Sequence, residues 1–136
     1  MLEGIDSYVV FEDDAGFTPD FLARFDQFVT ELAEDWGLAY LGGQHLYAAK
    51  HPPHKVSEHV YRPYNVNRTH AFMVRGRESM KTLYRHLTWS NWHSKHHIDH
   101  HLGRLIQRRY QALVQGQNVS KESIPVYVPD RWMVGQ

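Results

Sequence analysis

The chain begins with a continuous apolar run that stops at a cluster of acidic residues. Residues 7–11 read SYVVF, and Glu12, Asp13 and Asp14 follow them without a break. A short apolar run of β-branched and aromatic residues, without alternation, predicts a strand buried on both faces in the manner of a parallel sheet. Three adjacent carboxylates repel one another, so their place at the end of such a strand indicates that a positive group binds there.

The rest of the pattern alternates between helical spacing and short strands. Thr18 is expected to cap the first helix, because Pro19 suits the first helical position and apolar residues follow at helical spacing as far as Trp36. The later elements are expected as a strand over 38–41 that ends at two glycines, a loop over 44–55, an irregular or edge strand over 56–62, a strand over 69–74, a helix over 78–87, a helix over 98–110 and a strand closed by Pro129. This order predicts one α/β domain over residues 1–136, with a mostly parallel or mixed sheet flanked by helices.

Composition narrows the classes of function. The 15 basic and 15 acidic residues balance, so there is no basic field of the kind that nucleic-acid binding uses, and no nucleic-acid partner is expected. The chain has no cysteine, which excludes disulfides, thiolate metal sites and cysteine nucleophiles and fits a reducing cytoplasm. The sequence contains neither a signal-peptide pattern nor an apolar run near 18 residues, so no transmembrane segment is expected.

The position of the acidic cluster gives it a candidate chemistry. In an open α/β sheet, ligands bind beyond the carboxyl ends of the strands, which is where Asp13 and Asp14 are expected to lie. Two carboxylates on a turn suit a hard divalent cation such as Mg²⁺ or Mn²⁺, and the cation in turn neutralises a diphosphate. The alternative is that both aspartates only cap a turn or the helix that follows.

The segment YVVFEDDAGFTPDF resembles the acidic signature of glycosyltransferase family 25, which includes lipopolysaccharide-modifying and collagen-type galactosyltransferases. In that signature an apolar strand runs into Glu-Asp-Asp, and a helix that starts with Asp-Phe follows a short link. Further segments are similar to later parts of the family and occur in the same order: AYLGG, THAFMVRGRESMKTLYRHL, HHIDHHLGRL and VYVPDRWMVGQ. The resemblance spans residues 8–136.

The resemblance implies a partial GT-A fold and a metal-dependent transfer of a sugar from a nucleotide-diphosphate sugar to a glycan or lipopolysaccharide acceptor. Asp13 and Asp14 would then hold Mn²⁺ or Mg²⁺ and the donor, with Glu12 behind them as a further donor-binding residue. Asp99 would contact the sugar or take the proton of the acceptor hydroxyl, as general-base work by a carboxylate requires. The alternative for Asp99 is an ordinary carboxylate at a helix N-terminus, where the helix dipole favours it.

Enzymes of this family carry a nucleotide-binding βαβα half before the acidic motif, whereas here the strand that leads into the motif starts at residue 7. The resemblance therefore implies a missing N-terminal half, which would belong to a longer polypeptide or to a partner chain. On this interpretation residues 1–136 by themselves would bind nucleotide sugars weakly. Within the chain, Arg62 and Arg68 flank the segment PYNVN and are candidates for contacts with phosphate.

Two other functions remain open at the level of the sequence. The segment HSKHHIDHH places His96 and His100, or His97 and His101, four residues apart on a helix and close to Asp99. Such a pair can bind a transition metal in a metal-dependent hydrolase, although no glutamate stands between the histidines as a zinc-protease helix requires. The second alternative is a non-catalytic binding module that keeps the fold and lacks the donor pocket.

Overall fold

The computed structural model describes residue 4 and residues 6–89, 97–119 and 123–136. Within these residues the chain forms strands and helices in alternation. In chain order they are β1 (Ser7–Phe11), β2 (Gly16–Phe17), α1 (Phe21–Glu31), β3 (Leu38–His45), β4 (His54–Lys55), β5 (Val60–Arg62), β6 (Val66–Arg75), α2 (Arg77–Trp89), α3 (Ile98–Val114), β7 (Val126–Pro129) and β8 (Val134–Gly135). None of the helices in this described part is long and apolar enough to cross a membrane.

In the described ranges, six strands form one mixed sheet in the order β1-β6-β3-β7-β5-β4. β3 and β7 run parallel, and the other neighbouring pairs run antiparallel. β2 and β8 form a separate two-stranded sheet, which joins the segment after the acidic cluster to the C-terminal residues. The predicted α/β class with a mixed sheet is therefore confirmed.

Helices cover both faces of the sheet. Side chains alternate along its strands, so one strand contributes to the core on each face. In β3, Leu38 and Tyr40 belong to a core that they share with α2 and α3, whereas Ala39 and Leu41 belong to a core on the other face. Phe28 of α1 packs into this second core. All four β3 side chains are fully buried, so β3 is the centre of the domain.

The first strand has the predicted bounds, but the prediction that it is buried on both faces is wrong. β1 lies at an edge of the sheet and pairs antiparallel with β6. Val9 and Phe11 lie opposite Met73 and Ala71, on the face covered by α1, while Tyr8 lies on the other face. Tyr8, Val9 and Phe11 are 37%, 43% and 42% exposed. Because β1 has one neighbouring strand in the described residues, the helix layers cover these side chains only in part: Phe11 contacts Phe21 of α1 at its edge.

The first helix is shorter than the sequence pattern predicts. α1 begins after Asp20, which makes no side-chain cap, and the predicted cap residue Thr18 lies outside the helix, where its hydroxyl donates a hydrogen bond to the Met133 carbonyl (3.3 Å). At the other end the backbone of Leu32 turns to an extended conformation with ψ of 133°, so the helix does not reach Trp36. The predicted cap residue thus ties the start of α1 to the C-terminal segment.

Two central strands are longer than predicted. β3 continues through the two glycines to His45, and β6 starts at Val66 rather than at Thr69. The register between these strands shifts on either side of Gly42, which marks bulges in the ladder. The segment predicted as an irregular or edge strand contributes β5, which lies between β4 and β7.

An ion pair ties α1 to the loop before β5. The Glu31 carboxylate accepts a hydrogen bond from the backbone N–H of His59 (3.2 Å) and pairs with Nδ1 of the His59 ring. The hydrogen bond to Glu31 raises the pKa of His59. Partial burial acts to raise the pKa of Glu31, but the hydrogen bonds from His59 outweigh it, so the pKa of Glu31 lies below its ordinary value.

We expect His59→Gln to destabilise the fold in a pH-dependent way. A raised histidine pKa contributes stability below the ordinary value of 6.5, and a lowered glutamate pKa contributes stability above the ordinary value of 4.5. The loss should therefore be largest between pH 4.5 and 6.5 and should shrink as the pH rises through the folded-state pKa of His59 or falls through that of Glu31. Thermal unfolding measured across this range tests the expectation, with exposed His54→Gln as the control. An equal loss at every pH would contradict it.

Candidate functional site

The acidic cluster lies at the carboxyl end of β1, where hydrogen bonds hold its first member. The Glu12 backbone N–H donates to the carbonyl of His70 (3.0 Å), which continues the pairing of β1 with β6. The Glu12 carboxylate accepts a hydrogen bond from the Thr69 hydroxyl at one oxygen (2.9 Å) and from the Gln136 side-chain amide at the other (3.1 Å). Glu12 therefore fastens both β6 and the C-terminal residue to the end of β1.

Gln136 continues this set of hydrogen bonds to an arginine. Its Oε1 accepts a bond from a guanidinium N–H of Arg68 (2.8 Å). Gln136 is brought here by β8, which pairs with β2 and whose Val134 carbonyl accepts a bond from Nε2 of the buried His70 ring (3.0 Å). We refer to the following four residues as the Glu12 network: Thr69, Glu12, Gln136 and Arg68.

Arg68 has an unusual backbone conformation. Its φ is 75°, in the left-handed region that residues other than glycine seldom adopt. Between the pairs Gly42↔Ala71 and Gln44↔Asn67, β3 contains one residue whereas β6 contains three, so Arg68 lies in a bulge of β6. The left-handed conformation costs a residue with a Cβ roughly 1–2 kcal/mol. The surrounding structure therefore holds this arginine in a position that its own backbone disfavours.

An open cavity of about 340 Å³ lies beside the Glu12 network and joins it to the start of α3. All of its lining side chains are polar or charged: Glu12, Asn67, Arg68, Thr69, Asp99 and Gln136. Two residues that the sequence singled out, Glu12 and Asp99, thus face the same space although they are far apart in the chain. This cavity is the candidate site.

Asp99 lies in the first turn of α3 and is partly buried. Its Oδ1 accepts a hydrogen bond from the backbone N–H of His100 (2.8 Å), as expected for a carboxylate at a helix N-terminus. Burial raises the pKa of Tyr40, and the negative charge of Asp99 adds to this effect. The Tyr40 hydroxyl is buried and has no hydrogen-bond partner in the described residues. The position of Asp99 therefore combines a helix-start role with a place in the cavity wall.

Asp13 and Asp14 lie on the exposed turn between β1 and β2, directly after Glu12 in the chain, and neither lines the cavity. Among the residues described, no group of three or more histidine, aspartate or glutamate side chains is arranged to hold a metal ion. Sites for Mg²⁺, and for Mn²⁺, which prefers the same oxygen ligands, need only one or two carboxylates, because water and substrate phosphates fill the other positions. Two adjacent exposed carboxylates fit a site of that kind.

The histidines that suggested a hydrolase differ in their environments. His97 is exposed at the N-cap of α3 and His101 is buried, while His96 lies outside the described residues. The His101 backbone carbonyl accepts a hydrogen bond from Nε2 of His86 in α2 (2.8 Å). These contacts favour a role for His101 in joining α2 to α3.

Four residues that line the cavity, Asn67, Arg68, Thr69 and Gln136, are not predicted as site residues by the sequence. Arg68 was a candidate for phosphate contact only, and Gln136 was only part of a segment similar to family 25. The signal that could have linked them is the glycine at position 42, since a glycine pair inside a strand pattern indicates a bulge or a close backbone approach.

Comparisons of the chain with protein-family models, with curated proteins and with solved structures gave no match. The geometry of the cavity and the acidic turn that follows Glu12 therefore have to indicate the function.

Proposed function

We propose that residues 1–136 form the metal-binding and acceptor part of a glycosyltransferase, which moves a sugar from a nucleotide-diphosphate sugar to a glycan acceptor such as lipopolysaccharide. One observation carries this proposal: Glu12 and Asp99 line one polar cavity, and Glu12 is followed directly in the chain by the exposed Asp13 and Asp14. The mixed α/β sheet is compatible with the GT-A type of fold that the resemblance to family 25 implies.

The lining of the cavity suits a sugar. A ligand rich in hydroxyl groups exchanges its hydrogen bonds with water for bonds with amide, guanidinium and carboxylate groups, whereas an apolar ligand would leave those groups without partners. Asp99 accepts hydrogen bonds from hydroxyls, and the amides of Asn67 and Gln136 donate to their oxygens. The cavity is also open, so a large glycan can present one sugar unit to it.

In the proposed mechanism Asp99 acts as the general base. The acceptor hydroxyl donates its proton to the Asp99 carboxylate while its oxygen attacks the anomeric carbon, and the bond from that carbon to the diphosphate oxygen breaks. A bound divalent metal would neutralise charge on the departing diphosphate. Asp13 and Asp14 would hold that metal, and the Glu12 network fixes the start of the turn on which they lie.

The acidic turn should bind Mn²⁺, which broadens the NMR signals of nearby amides. We expect selective broadening of the backbone signals of residues 12–16. Asp14→Asn should weaken Mn²⁺ binding about ten-fold or more, because removing one of two ligand charges removes at least about 1.4 kcal/mol of attraction. Asp26→Asn removes an exposed carboxylate from α1 and should leave the affinity unchanged.

Donor cleavage tests the proposed function directly. UDP-glucose and GDP-mannose serve as probes, with residues 1–136 and with any longer polypeptide of which they form part. We expect sugar release to require Mn²⁺ and to stop on addition of EDTA or in the Asp14→Asn variant. Broadening at residues 12–16 without binding or cleavage of any donor would favour the non-catalytic binding module instead. Absence of both broadening and cleavage would contradict the proposal.

A further inference from the structure

We propose that Arg68 binds an oxyanion of the ligand, a phosphate or a carboxylate group, at its own wall of the cavity. This inference deepens the proposed function, on which it rests, by assigning a negatively charged group to the substrate. It also assigns the two residues to different groups of the ligand: Arg68 binds the anion, and Asp99 contacts the hydroxyl groups of the sugar.

The charge of Arg68 has no carboxylate partner in the described part of the chain. The ion pairs found there do not include Arg68, although Glu12 and Asp99 line the same cavity. A guanidinium carries five N–H donors in a planar fork, and one of them bonds to Gln136. The guanidinium therefore retains donors for a ligand that brings paired oxygens.

Arg68 is also held in place before any ligand arrives. Its backbone is fixed in the left-handed conformation of the β6 bulge. Its guanidinium is fixed by Gln136, whose amide is oriented by Glu12, which in turn is bonded to Thr69. Arg68, Gln136 and Glu12 are exposed to solvent, so a ligand can reach the guanidinium, and its orientation by these hydrogen bonds lowers the entropy cost of binding.

The two carboxylates of the cavity determine where a negative group can lie. Glu12 and Asp99 repel an anion placed close to them, whereas an anion at Arg68 gains a charge-assisted, bidentate contact. The part of the ligand that carries hydroxyl groups is then directed towards Asp99. The ligand class is a sugar that carries phosphate or carboxylate, and the diphosphate of the donor is one member of it.

An NMR titration in the presence of EDTA tests the proposal, because no metal then contributes to anion binding. Pyrophosphate, glucuronate and glucose are the probes. We expect pyrophosphate or glucuronate, but not glucose at the same concentration, to shift the Arg68 side-chain N–H signal and the backbone signals of residues 67–69. Tighter binding of pyrophosphate identifies the donor diphosphate as the source of the anion, and tighter binding of glucuronate identifies an acidic glycan.

Variants of Arg68 separate the side chain from its backbone. Arg68→Gln should weaken binding about ten-fold or more, the effect of losing a hydrogen bond to a charged group. Arg68→Lys keeps the charge without the planar fork, so its affinity should lie between that of the unchanged protein and that of Arg68→Gln. Arg68→Gly suits the left-handed backbone, so its loss of affinity reports the side chain alone. Arg108→Gln, on the exposed side of α3, is the matched control and should bind normally.

Shifts of equal size with glucose, or full affinity in Arg68→Gly, would overturn the proposal. The result is independent of the metal site. A transferase without an anion contact would fail this titration and still show Mn²⁺ broadening at residues 12–16. A chain that is not a transferase would bind the anion at Arg68 and show no donor cleavage, whether or not Mn²⁺ broadens the signals of residues 12–16.

Discussion

Asp99→Asn is expected to reduce sugar transfer by about 10²- to 10⁴-fold, which is the usual contribution of a positioned general base. Asparagine has the same shape, and its oxygen can still accept the hydrogen bond from the His100 N–H, so the start of α3 should be unchanged. The variant loses the negative charge of the carboxylate and, with it, the ability to take a proton. The turnover number should therefore fall much more than the Michaelis constant changes. Initial rates at saturating donor and Mn²⁺, taken over a range of acceptor concentrations, give both quantities.

Binding experiments provide the control for this variant. Asp99→Asn should leave Mn²⁺ broadening at residues 12–16 in place, and it should tighten pyrophosphate binding at Arg68, because it removes a negative charge from the cavity. Asp130→Asn removes an exposed carboxylate elsewhere and should transfer sugar at the normal rate. Normal transfer by Asp99→Asn would show that Asp99 is not the general base, and its role would then be limited to the start of α3.

Gly42→Ala is expected to lower the free energy of unfolding by about 1–3 kcal/mol, the cost of overpacking a buried site. An added Cβ would collide with the Val134 carbonyl oxygen and with Nε2 of His70. The first atom belongs to the backbone and the second to a buried ring, so neither can move aside freely. These two atoms also form the hydrogen bond between β6 and β8. Urea unfolding, followed by circular dichroism, measures the loss.

Gly135→Ala is the matched control, since a Cβ at position 135 would meet nothing nearby, and it should change stability little. Gly42→Ala should in addition weaken pyrophosphate binding, because β8 positions Gln136, which holds Arg68. Unchanged stability in Gly42→Ala would mean that β3 and β8 can separate without cost. Lower stability with unchanged anion binding would mean that Arg68 is held independently of β8.

The sequence pattern predicts the bounds of the strands and helices better than it predicts which of their side chains are buried. The run over residues 7–11 has the expected bounds because β-branched and aromatic residues favour extended backbone. Its burial depends on how many strands lie beside it, and a local pattern does not encode that number. The cap at Thr18 failed for a related reason, since a distant partner, the Met133 carbonyl, takes its hydroxyl.

The candidate site was predicted in part. Glu12 and Asp99 are both expected near a ligand, and they line one cavity, while the roles of all four acidic residues, Glu12, Asp13, Asp14 and Asp99, stay predictions. The position of Arg68 depends on a bulge and a left-handed backbone, for which an arginine gives no signal. Gln136 reaches the site through the pairing of β2 with β8, strands of two residues each, which are too short to show any periodicity.

The exposed edge of β1 also bears on the behaviour of the protein at high concentration. An edge strand with apolar side chains on both faces is a template for pairing with another copy of itself. Antiparallel pairing of two copies around Val9 would set Asp6 of each against Glu12 of the other, and Asp13 and Asp14 would add to the repulsion. The acidic residues at both ends of β1 therefore act as gatekeepers against edge-to-edge aggregation. Dissolved ions screen the repulsion between these carboxylates, so concentrated salt favours association of the protein through β1.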